Sequence, residues 1–413
     1  MGLKIKKQRV YELLFMACIV VPYFNVYEAT FFVWSLTALI TLRKKYSLTM
    51  VKQLACFTGI LIIALIVSFF DFPEPYPFVR DFAYMLKPIL GLLIGYQICK
   101  DYFDNPFIII VKTGVVIAVF HMFNLAYAFT FLHIRDMPTL RMHTGYFSDF
   151  EVYTIIILIF RKQLGLEISD KRVKLFLPLL IFSTILYLAR SNFIQFVILY
   201  IAMKGYFVAN KRSLTILAFS VLILGGGYAA IYYSNPSRTR GIEAFFYKIK
   251  NAPKEAFKTH VNKYNWKDLN DNYRSYETIM TYKQVTDKGP AAVAFGKGLG
   301  STTDLKKKMW LQSSYMRFIP FLHNGFTTVF LKSGLAGLVL LFISIFLLYK
   351  NKPFDSSIIT NINFLIVGTG VYLIVSYWVF MGFYFTVDTK AVIFGFLVRY
   401  RENIARTMTN RVQ

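Results

Sequence analysis

Thiol chemistry is nearly absent from this sequence. Its 413 residues include three cysteines, Cys18, Cys56 and Cys99, each in or at the edge of an apolar run. No connecting segment holds a pair, which excludes a disulfide framework and a thiolate zinc site. Histidine is scarce at five residues, and acidic residues are outnumbered, with 22 Asp and Glu against 47 Lys and Arg. The GxxxxGK, G-x-S-x-G and H-E-x-x-H patterns are missing. Gly296-Lys297-Gly298-Leu299-Gly300 lies outside any strand–helix unit, so a nucleotide-binding reading fails. No internal repeat marks the two related halves common in secondary transporters.

What is abundant is apolar surface. Hydrophobic residues make up 56% of the chain and aromatics 18%, with 42 Phe and 28 Tyr. Soluble domains sit nearer about 45–50% apolar, and the mean hydropathy is +0.48. A soluble chain with a net charge of +25 would suggest a nucleic-acid partner. Here the positive charge lies between long apolar runs, which points to a polytopic membrane protein and no nucleic acid. Apolar segments fall at 10–24, 28–42, 53–71, 82–99, 107–132, 147–160, 175–189, 192–208, 214–233, 322–349, 358–381 and 388–398. The first two are short and split by Pro22 and Asn25, and the last is short as well. The expected fold is therefore all-α, a bundle of ten to twelve transmembrane helices.

Basic residues set the expected orientation. Lys4, Lys6, Lys7 and Arg9 precede the first run, and Arg43, Lys44, Lys45 and Lys52 follow the second. Residues 161–174 carry Arg161, Lys162, Lys171, Arg172 and Lys174; Lys204, Lys211 and Arg212 come next, and the tail has Arg399, Arg401, Arg406 and Arg411. With twelve spans all of these fall on one side, which the positive-inside bias makes cytoplasmic, with both termini inside. The basic start resembles a secretory signal but lacks a small-residue cleavage site, so a retained first helix is expected. The chain divides into N-terminal spans over 1–233, an extracytoplasmic loop over 234–321, and C-terminal spans with a tail over 322–413. The loop holds sixteen Lys and Arg against seven Asp and Glu, and long loops translocate regardless of charge. Within it, 241–260 and 271–287 read as short amphipathic helices, with Gly289-Pro290 and then Gly296, Gly298 and Gly300 as breaks.

Charges at or near membrane depth are the first functional candidates. Arg190 stands in a tight turn between two spans, where a snorkelling interface arginine is the plain alternative. Arg80 and Lys87 flank the start of another span and would present cations to an anionic headgroup. In the loop, Arg274 lies in Asn272-Tyr273-Arg274-Ser275-Tyr276-Glu277, where a solvated helix face is the ordinary reading. His323 stands where the loop re-enters the membrane, in Phe321-Leu322-His323-Asn324-Gly325, and suits acid–base work. Asp268 and Asp271 have helical spacing but no His partner, so no metal is expected. Trp266, Tyr273, Tyr276 and Trp310 would pack the loop helices or mark the membrane interface, or else stack on a bound ring.

The order Arg274, glycine turn, His323-Asn324 and then Phe330-Leu331-Lys332-Ser333-Gly334-Leu335-Ala336-Gly337-Leu338 resembles the O-antigen polymerase and O-antigen ligase superfamily of bacterial envelope glycosyltransferases. The topology resemblance covers most of the chain; the sequence resemblance covers that late region, Arg190 and the Lys87-Pro88 helix. Where the family often has Ser before the arginine, this chain has Ala189, with Ser191 following. The resemblance implies an inner-membrane enzyme with its active site on the extracytoplasmic face. It would take an undecaprenyl-diphosphate-linked oligosaccharide donor and a glycan acceptor, need no cofactor, and work beside polysaccharide-assembly proteins. It further implies His323 and Arg274 as catalytic residues, with Arg190, Arg274, Arg80 and Lys87 binding the diphosphate. The absence of an acidic residue near Lys332 favours a polymerase, which joins repeat units, over a ligase, which uses lipid A core or another acceptor. A lipid-linked-oligosaccharide transporter and a scaffold of an envelope-assembly complex are the alternatives outside the class.

Overall fold

A computed structural model describes residues 2–412 apart from 72, 102, 104, 146–147, 208–210, 238–242, 244–245, 248, 252, 254–257, 312–313 and 350–355. The protein is mostly helical, and a helix forms over each of the twelve apolar segments. They are α1 (Gly2–Val20), α2 (Tyr27–Ile40), α3 (Leu48–Asp71), α4 (Pro75–Ile98) and α5 (Phe107–Thr130). A short α6 (Met137–Thr144) precedes α7 (Asp149–Ile159), α8 (Asp170–Leu186), α9 (Arg190–Met203) and α10 (Lys211–Tyr233). The loop contributes α11 (Trp266–Asp271), α12 (Tyr273–Asp287) and α13 (Pro290–Phe295), then strands β1 (Thr303–Leu311) and β2 (Ser314–Ile319). The chain continues through α14 (Gly325–Leu347), α15 (Ser357–Val379) and α16 (Lys390–Val412). Among the described residues, four helices, α3, α5, α14 and α15, are long and apolar enough to cross a membrane.

The bundle is tightest between α4 and α16. A Cβ on Gly95 would meet the Val392 carbonyl oxygen at 2.0 Å, and one on Gly395 would meet the Leu92 carbonyl oxygen at 2.3 Å. The two backbones touch there, as small residues allow where helices associate without water to drive them. Helix α14 packs along α3, where Gln53 Nε2 donates to the Ser344 carbonyl at 2.9 Å.

The loop builds a cap with its own apolar cluster, in which Leu269, Tyr276, Val285, Leu305, Met309, Ile319 and Leu322 close over Phe330 and Leu331 of α14. Tyr273, Tyr276, Ile279, Met280 and Val285 of α12 all join or border this cluster, so the amphipathic face read from the sequence is the docking face. Half of the expected helix at 241–260 lies outside the described residues; those described between 243 and 253 are helical, and 258–260 are not. The all-α expectation fails at 303–319, where β1 and β2 pair antiparallel, with Thr303 opposite Ile319 and Trp310 opposite Tyr315. The strand period is hidden in the sequence by Lys306-Lys307-Lys308. An irregularity between Asp304 and Met309, with Lys306 at φ +57°, interrupts the alternation.

The glycine turn has a structural role. Helix α14 breaks at Gly334 (φ 64°, ψ −158°), which releases carbonyls of the preceding turn from their helical partners. The turn supplies replacements: Lys297 N donates to the Leu331 carbonyl at 2.7 Å and Gly298 N to that of Lys332 at 3.1 Å. Leu299 N reaches Ser68 Oγ at 2.6 Å, and Gly300 N reaches Asp81 Oδ2 at 2.8 Å. The loop is thereby clamped to α3, α4 and α14 at once.

Candidate functional site

Helix α12 delivers the first two candidates. Tyr273 and Glu277 stand four residues apart and so share a face, and both touch His323. The Glu277 carboxylate accepts the His323 backbone N–H at 3.0 Å and lies 3.0 and 3.1 Å from its ring Nδ1. The Tyr273 ring meets the imidazole edge-on, with centroids 5.7 Å apart. Burial, and then Glu277, push the Tyr273 phenol far above its usual range, so it stays protonated. The Glu277 side chain is 2% exposed and that of His323 is 49% exposed. The imidazole Nε2 has no hydrogen bond among the described residues. Asn324 then caps α14, its side chain accepting from Thr327 N at 3.0 Å.

Arg274, half-buried, places its guanidinium carbon 5.5 Å from the centre of the Phe380 ring. Phe380 is the hub of the site. Its carbonyl accepts from Gly325 N at 2.9 Å, which holds it beside the His323-Asn324 turn. With Phe385 it also packs on Tyr187 and Ala189, and Arg190 follows Ala189 as the first residue of α9. Leu188 takes φ +47° to make that turn. Of the candidates, Arg274 touches Phe380 directly, while His323 and Arg190 are linked to it through their chain neighbours Gly325 and Ala189.

Arg80 joins through Phe321, two residues before His323. Its guanidinium carbon lies 5.9 Å from the Phe321 ring, which also packs against Tyr84 at 4.2 Å. The same guanidinium bonds Asp81 at 3.1 Å. Lys87 is placed differently. It is buried, and its ammonium donates to the carbonyls of Phe385 at 2.7 Å and Asp388 at 2.5 Å, 4.8 Å from the Trp34 ring. Its charge reaches the site only through the 385–388 segment.

Beneath the hub lies a charged floor that the sequence reading missed. Lys390 at the start of α16 bonds Asp149 at 3.0 Å and also Asp388, all but fully buried. Gln195 Nε2 of α9 donates to the Asp149 carbonyl at 3.1 Å. These contacts bring the N-termini of α7 and α16 together beside α9, where the helix dipoles favour negative charge. Ionisable residues inside apolar runs were the available signal; Glu277 left none, being 46 residues from its histidine. Of the aromatics, Tyr276 is committed to packing, its hydroxyl bonding the Leu305 carbonyl at 2.5 Å. Trp266 and Trp310 are exposed, Trp266 with the Lys307 ammonium 5.8 Å from its ring and Trp310 edge-on to Tyr315 at 4.9 Å.

Chemically, the arrangement offers guanidinium groups for an anion, a half-exposed imidazole with one nitrogen bare, and a carboxylate behind it. No family model matches the sequence, and no curated protein matches it.

Proposed function

We propose that the protein is a polysaccharide repeat-unit polymerase of the bacterial cytoplasmic membrane, with ten to twelve spans, both termini in the cytoplasm and its active site on the extracytoplasmic face. The acceptor is a sugar hydroxyl of a second lipid-linked unit. Its oxygen attacks the anomeric carbon of the donor glycan; the bond from that carbon to the diphosphate breaks, and the electron pair leaves with the diphosphate on its undecaprenyl carrier. The hydroxyl proton passes to His323 Nε2. Arg190 and Arg274, with Arg80 at the edge, take up the charge that grows on the diphosphate. Lys87 shapes the floor by holding the 385–388 segment. Attack opposite the leaving group inverts the anomeric centre.

The Glu277–His323 pair, set beside the Arg274–Phe380 contact where the Phe380 carbonyl holds Gly325 N, carries this reading. A second reading has its own support, since buried ion pairs such as Lys390 with Asp149 are features of transport pathways. One experiment separates them. Purified protein in nanodiscs is incubated with a lipid-linked repeat unit and the products are sized, with His323→Ala and Arg274→Ala alongside. A ladder lost in both variants supports polymerisation. Transfer only when lipid A core or a peptide is supplied makes the protein a ligase. A folded sample with no transfer to any acceptor overturns the assignment in favour of transport or scaffolding.

A further inference from the structure

We infer that Glu277 is the positioning residue of His323: it fixes which ring nitrogen carries the proton and aims the other at the acceptor hydroxyl. The inference rests on the transferase reading above. The carboxylate is held twice by the same residue, by the His323 backbone N–H at 3.0 Å and by ring Nδ1 at 3.0 and 3.1 Å. The main-chain bond fixes the carboxylate beside the ring, and the ring loses its Nδ1 bond if it swings away. A carboxylate only accepts, so Nδ1 carries the proton and Nε2 is left with a lone pair. Tyr273, one helical turn from Glu277, closes the ring's flank edge-on.

The burial pattern separates this role from a packing one. Glu277 is 2% exposed and has no Lys or Arg in ion-pair contact among the described residues. A buried carboxylate with no permanent cation is costly, and a glutamine of the same shape would fill the space without that cost. The carboxylate becomes useful when the imidazole turns cationic. As Nε2 takes the acceptor proton, the positive charge forms about 3 Å from the buried Glu277 carboxylate. Glu277 acts through the ring and never touches the sugar.

The test compares turnover of a lipid-linked repeat unit by the wild-type protein, Glu277→Gln, Glu277→Asp, His323→Ala and the Glu277→Gln/His323→Ala double variant in nanodiscs. Glu277→Gln is expected to lose roughly 10²- to 10⁴-fold in kcat, with donor KM changed by less than about twofold. Glu277→Asp, which keeps the charge, retains more activity than Glu277→Gln. In the His323→Ala background the glutamine costs nothing further, because its effect runs through the ring. Wild-type turnover by Glu277→Gln, or an equal loss with His323 absent, overturns the inference. ¹⁵N spectra of the His323 imidazole, identified by difference from His323→Ala, test it without activity. A proton on Nδ1 in the wild type and mixed tautomers in Glu277→Gln support it; a proton on Nε2 in the wild type sinks it, even if the protein transfers no glycan.

Discussion

Lys332 Nζ lies 2.5 Å from Asp81 Oδ2, with both side chains wholly buried. The pair joins residues 251 positions apart and sits at the centre of the clamp between loop and bundle. Asp81 also accepts from Gly300 N and from Arg80, and Lys332 donates to the Ser301 carbonyl. A buried pair is weak evidence of net stability, yet removing one partner leaves an uncompensated charge costing about 3–5 kcal/mol. Lys332→Met and Asp81→Leu are therefore each expected to lower the thermal midpoint in detergent sharply. The double variant should recover much of the loss. A double variant no better than either single one would show that the pair does not act as a unit.

Gly334 bends α14 where the loop is received. Its φ of 64° with ψ −158° is a conformation nearly confined to glycine, and other residues pay about 1–3 kcal/mol to adopt it. A Cβ there would also lie 2.5 Å from the Ala294 carbonyl atoms. Gly334→Ala should yield protein with a lower thermal midpoint and faster hydrogen exchange over 290–300, because the turn loses its seat. Unchanged exchange there would refute the clamp.

The hairpin carries a pH dependence of known sign. Arg317 grips Asp304 with bonds of 2.7 and 2.8 Å, and the Lys306 amide adds another at 2.8 Å. Arg317 first, then the Lys306 contacts, hold the Asp304 carboxyl well below the usual range. Its contribution is thus complete above the unfolded value of about 3.9 and is lost only as pH falls through the lower folded one. Hydrogen exchange over 303–319, corrected for intrinsic rate, should stay constant from neutral pH to about 4.5 and rise below about pH 4. Asp304→Asn should show raised exchange at every pH.

Among the candidate cations, Arg190 and Lys87 should behave oppositely. Arg190 is half-buried at the start of α9 with no hydrogen bond or ion pair of its side chain among the described residues, whereas Lys87 is tied to two carbonyls. In the transfer assay, Arg190→Ala should lower kcat/KM for the lipid donor by roughly 10²-fold with an unchanged thermal midpoint. Lys87→Met should lower the midpoint through the freed 385–388 segment and leave donor KM nearly unchanged. The reverse pattern would move the diphosphate to Lys87.

Each apolar run becomes a helix because a run of that length taken out of water must satisfy its backbone internally, and that property is legible residue by residue. The Tyr273-to-Val285 face of α12 was legible for the same reason, as was the break at Gly289-Pro290. The hairpin was not, because Lys306-Lys307-Lys308 masks the two-residue period and its strands gain their meaning from Leu305 and Met309 meeting a distant α12. Among site residues, Arg274 and His323 stood out by type and position. Glu277 did not, since a glutamate on a basic loop helix looks the same whether it faces water or a histidine 46 residues away.

Local pattern thus determined the helices, the apolar load, the basic segments and the cations worth naming. Tertiary structure alone decided which of them meet: that Glu277 holds His323, that Arg274 lies over Phe380, that Lys87 bonds carbonyls, and that the glycine turn fills a broken helix. The physical reason is range. Helix formation and burial are set within a few turns of chain, while an ion pair such as Asp81–Lys332 or a dyad such as Glu277–His323 exists only after separate elements have packed.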